Sequence, residues 1–196
     1  MTNDTSHIAH AKRQLRNEAL TLRDSIDARA QSAADAKIQA NLEALPLFKK
    51  AKTVFCYIGV GSEVGTLALI EKMLEEGKVV CAPRCVGNSV MYSHAIASID
   101  DLGAGILGIP APAATTPLIL PAEVDLVIVP CVTCDRKGYR IGYGGGYYDY
   151  YLADVPAQTT KVILCRESLL ADSLPTEPHD IKADFIVTSK EVIEIL

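Results

Sequence analysis

This sequence predicts an α/β fold of three layers, a mostly parallel sheet with helices on both faces, and three observations lead there. Short apolar runs recur at strand length, amphipathic stretches of helical period separate them, and the runs are apolar throughout, as in strands buried on both faces. The 196 residues suffice for one fully cored unit and are few for two, so a single domain spanning 1–196 is expected.

The elements follow in order. Ile8, Ala11, Leu15, Ala19 and Leu22 fall three to four apart, and "ARAQSAADAKIQANLEAL" continues in that style. Two helices are therefore expected between His7 and Leu45, with a break around Asp24–Asp27. After Pro46, "TVFCYI" reads as a strand, and "TLALIEKMLEEGK" as an amphipathic helix with Thr66 as N-cap and Gly77 as its stop. "VVCAP" is the next strand. "VMYSHAI", "VDLVIVP", "KVILC" and "DFIVTS" are expected to continue the strand–helix–strand alternation of a Rossmann-like sheet. Ligands of such sheets sit outside the carboxyl ends of strands, which places the loops after Ile58, Pro83, Pro130 and Cys165 nearest any site.

Composition narrows the function classes. The chain is 49% hydrophobic and 22% charged, within the globular range, and its net charge of −5 supplies no broad positive field for nucleic acid. Any phosphate must be bound locally. The polar start "MTNDTSH" lacks the basic and apolar regions of a signal peptide, so a cytoplasmic protein is expected. The uncharged run Leu102–Ala122 holds Pro110, Pro112, Pro117 and Pro121, which rules out a spanning helix and reads as a loop. Of six cysteines, Cys81 with Cys85 and Cys131 with Cys134 have spacings that could build a four-thiolate zinc site. Cys56, Cys81 and Cys165 sit inside apolar runs, where cysteine acts as a small buried hydrophobe, and that reading fits better.

One stretch carries the chemistry. "RKGYRIGYGGGYYDYYL", Arg136 to Leu152, places Gly142, Gly144, Gly145 and Gly146 between the strand "DLVIVP" and a short helix "YYDYYLADV". Such a turn lets backbone N–H groups approach an anion, and phosphate is the natural guest. It matches neither the P-loop nor GxGxxG. Arg140 before the glycines can grip phosphate oxygens, and Asp149 after them is placed as a carboxylate for the Mg²⁺ that accompanies ATP. Taken by themselves, these residues also allow a tight surface turn and a helix cap.

"YRIGYGGGYYDYYL" resembles the signature of the 5-formyltetrahydrofolate cyclo-ligase family, also called 5,10-methenyltetrahydrofolate synthetases. "AKRQLR", "SEVGT" and "PHDIKADFIVTS" resemble further family segments in the right order, so the likeness covers nearly the whole chain. It implies that Arg140 is the catalytic residue and that Arg140, Ile141, Gly142, Gly144, Gly145, Gly146 and Tyr148 bind ATP. Lys12 and Arg16 would reach its phosphates from the first helix, where their four-residue spacing shares one face. Ile58, Glu63, Tyr143 and Tyr147 would hold the folate, and Asp149 with Asp184 the Mg²⁺. Three positions depart from the family's pattern: Gly65, Ala111 and Cys134, the last in place of an aromatic residue. The implied reaction is ATP- and Mg²⁺-dependent closure of 5-formyltetrahydrofolate to 5,10-methenyltetrahydrofolate, with ADP and phosphate released; its partners are small molecules, and the sequence does not give the oligomeric state, for which a monomer is the expectation. The alternatives are a non-catalytic nucleotide- or folate-binding module of the same fold, kept open by those departures, or a ligase for a related small amide.

Overall fold

The computed structural model describes residues 2–195. The chain begins with α1 (Thr2–Ser25) and α2 (Ala28–Ala44), and Asp27 caps α2 by accepting from the N–H groups of Arg29 and Ala30. A short α3 (Pro46–Lys50), not anticipated, follows with proline at its first position, where the missing N–H costs nothing. Then come β1 (Thr53–Cys56), α4 (Leu67–Glu75), β2 (Val79–Gly87) and β3 (Val90–Ile96). The middle of the chain adds β4 (Leu102–Gly103), β5 (Ala111–Pro112), β6 (Leu118–Ile119), β7 (Leu126–Val129), β8 (Thr133–Asp135) and β9 (Arg140–Ile141). The last part holds α5 (Tyr147–Ala153), β10 (Thr160–Leu164), β11 (Leu170–Ala171), β12 (Phe185–Val187) and β13 (Val192–Glu194).

Eight strands form the central sheet in the order β13-β12-β10-β7-β1-β2-β3-β6, parallel from β12 to β2 and antiparallel at both ends. Successive residues of the parallel strands turn to opposite faces, and both faces are covered, which is why these runs do not alternate with polar residues. Val54, Cys56, Val80, Leu126, Ile128, Val162 and Leu164 meet Ile38 and Leu42 of α2, Phe48 of α3 and Leu69, Ile70 and Met73 of α4. Phe55, Cys81, Val127, Val129 and Ile163 face the other way, toward Tyr151 and Leu152 of α5. Helices thus flank both faces, as expected.

Several local expectations need correction. Val90–Ile96 does not continue the alternation but folds back on β2 as a hairpin, turned at Asn88 (φ 50°) and Ser89 (φ 60°). Two consecutive positive-φ residues make the tight turn that suits the twist of paired strands. No loop follows Pro83, because β2 runs through it; β1 pairs with β2 only from Val79 to Cys81, so Pro83 lies where β1 has ended. Leu102–Ala122 is not a plain loop, since β6 adds to the sheet edge and β4 pairs with β5. Thr66 stands at the N-cap of α4, but its hydroxyl does not cap. It donates to Tyr57 O (2.7 Å) and accepts from Gly59 N–H (3.0 Å), locking the end of β1. Gly77 ends α4 region with φ 77°, as its role as a stop requires. Among the described residues, no helix is long and apolar enough to cross a membrane.

Candidate active site

The sheet's neighbours set the location. β1 lies between β2 and β7, so the connections leaving the carboxyl ends of β1 and β7 part to opposite sides and open a crevice. Residues 59–65 form one wall, and the chain after β7 forms the other. β8 and β9 pair as a hairpin whose turn is held by Asp135. Its carboxylate is fully buried and accepts from the N–H groups of Lys137 (3.0 Å), Tyr139 (3.1 Å) and Leu174 (3.0 Å).

The glycine loop leaves this hairpin and enters α5. Gly144 has φ 91° and Gly146, the N-cap of α5, has φ 70°, conformations that favour glycine. Two other elements brace it. Ser89, at the β2–β3 turn, donates to Gly145 O (2.7 Å), and Arg16 of α1 donates from Nε to Gly142 O (2.6 Å). A Cβ on Gly144 would sit 3.2 Å from Arg16 Cζ, so the guanidinium lies directly on the loop. Among the described residues, no acceptor is paired with the N–H groups of Gly144, Gly145 or Gly146. The loop therefore combines a fixed backbone, spare donors and an overlying cation. Ile141 is buried (2% exposed) and anchors its start.

Arg140 and Asp149 bracket the loop and meet each other. Arg140, its side chain 6% exposed, donates from Nη2 to Asp149 Oδ1 (2.9 Å) and from Nη1 to Ile181 O (3.2 Å). Lys12 lies one helical turn before Arg16, with its ammonium 2.9 Å from Glu177 Oε2 and 2.6 Å from Asp180 Oδ2. Asp184, just before β12, accepts at its carboxylate from Lys161 N–H (2.7 Å) and pairs with Lys161 Nζ (3.0 Å). At the loop itself, the Asp149 carboxylate beside the phosphate cradle fits a magnesium–nucleotide, one carboxylate beside such a cradle being an ordinary way to hold Mg²⁺.

The other wall of the crevice carries Glu63. Its Oε2 accepts from Val60 N–H (2.9 Å), and burial raises its carboxyl above the usual range, with that hydrogen bond and the nearby Arg23 pulling the other way. Tyr143 faces it from the glycine loop and accepts at its hydroxyl from Arg23 Nη2 (2.7 Å), with the guanidinium 5.5 Å above its ring. Burial also raises the Tyr143 and Tyr148 hydroxyls. Tyr148 stacks on Phe55 at 6.0 Å, and its buried hydroxyl has no partner among the described residues. Tyr147 lies against the loop, with ring atoms 3.0 Å from where a Gly145 Cβ would be. Ile58, expected against the substrate, is instead packed in the core at 3% exposure.

A profile of the 5-formyltetrahydrofolate cyclo-ligase family matches residues 8–189. The chain belongs to that family. Among relatives, a 5-formyltetrahydrofolate cyclo-ligase of Mycolicibacterium smegmatis is 31% identical over 194 residues, covering 95% of this chain and 97% of that protein. A probable 5-formyltetrahydrofolate cyclo-ligase of Schizosaccharomyces pombe is 34% identical, covering 76% and 80%. The solved 5,10-methenyltetrahydrofolate synthetase of Aquifex aeolicus superposes with a TM-score of 0.84 at 33% identity, covering 94% of this chain and 92% of that one. The family is one of ligases, and the mixed α/β architecture is shared with its solved members.

Three site residues of this family member escape a reading of the sequence. Arg23 is 5% exposed, donates to Ser62 Oγ (2.9 Å) and Tyr143, and keeps a buried Nη1 with no acceptor among the described residues. The signal was present: Lys12, Arg16 and Arg23 lie at i, i+4 and i+11, one face of a 3.6-residue helix. Arg166, just past β10, is 3% exposed and binds Asp35 through Nε and Nη2 (both 2.8 Å) while donating to Ser62 O (2.6 Å) and Glu63 O (2.9 Å). It fixes the loop that presents Glu63, a role with no sequence signature. Ser89 reaches the site through the unforeseen hairpin. The suggested pairing of Cys81 and Cys85 with Cys131 and Cys134 does not form; Cys81 instead donates to Val54 O (3.5 Å), in the core.

Proposed function

We propose that this chain closes 5-formyltetrahydrofolate to 5,10-methenyltetrahydrofolate at the expense of ATP, releasing ADP and phosphate, as a single-domain cytoplasmic enzyme. The observation that carries this reading is the braced glycine loop with spare N–H donors, capped by Arg16 and flanked by the Arg140–Asp149 pair. An amide oxygen leaves poorly; transfer of the terminal phosphoryl group to the formyl oxygen turns it into a good leaving group. N10 then attacks the activated formyl carbon, the carbon–oxygen bond breaks, and phosphate departs as N10 gives up its proton to it or to water. This chemistry needs positioning and charge neutralisation rather than a protein nucleophile.

The residues divide accordingly. Gly142, Gly144, Gly145 and Gly146 offer main-chain N–H groups to phosphate oxygens, Ile141 seats the loop, and Tyr148 supports it from α5. Arg16 covers the phosphates, and Lys12, one turn away, extends the same cationic face. Arg140 is the catalytic residue, neutralising charge on the transferring group. Asp149, with Asp184, would hold Mg²⁺, which when bound offsets phosphate charge. A phosphate arriving at Arg140 replaces the carboxylate it now binds, so each member of the ion pair keeps a counter-charge. Glu63, Tyr143 and Tyr147 take the folate, with Arg23 Nη1 a further donor beside them and Ile58 behind the wall.

The test is direct. Protein, Mg²⁺, ATP and 5-formyltetrahydrofolate together should develop the near-ultraviolet band of the methenyl product, with one ADP formed per product. Nucleotide binding with no such band would refute catalysis and leave a binding module. ADP release with a different amide substrate only would refute the folate.

A further inference from the structure

Folding adds Cys165 to the Cys131–Cys134 pair, and the sulfurs of Cys131, Cys134 and Cys165 lie within 4.8 Å of one another. Three separate positions supply them: the chain just after β7, β8, and the chain just after β10, the neighbour of β7 in the sheet. Cys134 and Cys165 are 0% and 1% exposed, Cys131 is half-buried, and all three are free thiols. Among the described residues, no other cysteine belongs to such a group. Cys56 and Cys81 turn their sulfurs to main-chain carbonyls, as do Cys131 (Leu164 O, 3.8 Å) and Cys165 (Arg166 O, 3.4 Å), so what sets the trio apart is the convergence of its three sulfurs. We propose that Cys131, Cys134 and Cys165 form a three-thiolate site for a thiophilic d¹⁰ cation, Zn²⁺ or Cu⁺.

The geometry suits one ion. Metal–sulfur bonds of about 2.3 Å place three sulfurs roughly 3.8–4.0 Å apart around one ion, so side-chain rotations that draw the trio in by less than about 1 Å close it around a centre. Soft thiolates select these ions and reject Mg²⁺, which keeps the site chemically distinct from the carboxylate at Asp149. Binding releases the three thiol protons and leaves a complex of net charge −1 with Zn²⁺ or −2 with Cu⁺. The guanidinium charges of Arg140 and Arg23 act favourably on Cys131 and oppose that excess. Glu177, His179 and Asp180 also converge within 4.8 Å, but the Lys12 ammonium already serves two of them at 2.6–2.9 Å, so that cluster is satisfied without a metal.

X-ray absorption on the full-length chain, reduced, chelator-stripped and loaded anaerobically with Zn²⁺ or Cu⁺ in separate arms, tests this. One equivalent is expected, with three sulfurs at about 2.3 Å and one lighter ligand for zinc, and three sulfurs alone for copper. Cys131→Ser should reduce the count to two sulfurs and weaken binding at least about tenfold, whereas Cys85→Ser should change neither. If Cys131→Ser folds poorly, alkylation of the unaltered chain followed by peptide mapping serves instead: the bound ion should slow modification of Cys131, the one of the three that is not fully buried, and leave Cys85 as reactive as in the metal-free chain. Absence of stoichiometric binding in both arms, a shell of oxygen and nitrogen only, or an ion that leaves the reactivity of Cys131 unchanged would overturn the proposal.

Discussion

Arg140 and Asp149 show how much a single residue's surroundings decide. Both were legible from their places on either side of a run of glycines, yet their 2.9 Å contact with each other was not, because sequence gives positions along the chain and not which charge neutralises which. Removing one charge-assisted contact to a reacting group costs about 10²–10³ in rate. Arg140→Ala should therefore lower kcat by about that factor while its circular dichroism spectrum stays unchanged; near-normal kcat would remove Arg140 from catalysis. Gly144 is held by two constraints at once, φ of 91° and the Arg16 guanidinium 3.2 Å from any Cβ. Gly144→Ala should cost about 1–3 kcal/mol in urea denaturation. Glu63 makes a prediction about pH. A carboxyl raised by burial binds its proton more tightly folded than unfolded, so its favourable contribution is complete below the ordinary value of 4.5 and is lost as pH rises through the raised one. Relative to Glu63→Gln, the unaltered chain should thus lose stability over that rise, and denaturation midpoints of both proteins across pH would reveal a flat or opposite difference if burial does not govern this group.

At the scale of elements, α1 is the part that sequence periodicity described but did not explain. Its apolar positions predicted a helix, which formed; the stripe of Lys12, Arg16 and Arg23 predicts which face matters, and that face touches the 177–180 segment, the glycine loop and Tyr143 in turn. The β2–β3 hairpin was hidden because its strands read like any other apolar runs, and the turn at Asn88–Ser89 lacks the Asn-Gly pair that announces such turns. Its consequence is functional, since Ser89 steadies Gly145. Arg166 links three elements by binding Asp35 of α2 and the carbonyls of Ser62 and Glu63. Truncating one partner of a buried pair leaves the other uncompensated, at a cost of about 3–5 kcal/mol. Arg166→Ala should show that loss in chemical denaturation together with a raised KM for the folate and a smaller effect on the KM for ATP. Equal effects on both substrates would mean that Arg166 supports the fold without positioning Glu63.

Across the whole molecule, the α/β class and the two-faced burial of the parallel strands were legible because every such strand must be apolar on both sides. The order of strands was not, since neighbours such as β1 and β7 are far apart in the chain and nothing local records their pairing. That order creates the crevice at the carboxyl ends of β1 and β7, and α1 closes across it with its cationic face. The account's central claim is that the terminal phosphoryl group of ATP rests on the main chain of this loop. A crystal structure with a non-hydrolysable ATP analogue and Mg²⁺ tests it most directly. The predicted result is a terminal phosphate hydrogen-bonded to N–H groups within Gly144–Gly146, with Arg140 and Arg16 on its oxygens; a triphosphate bound away from these glycines would contradict it.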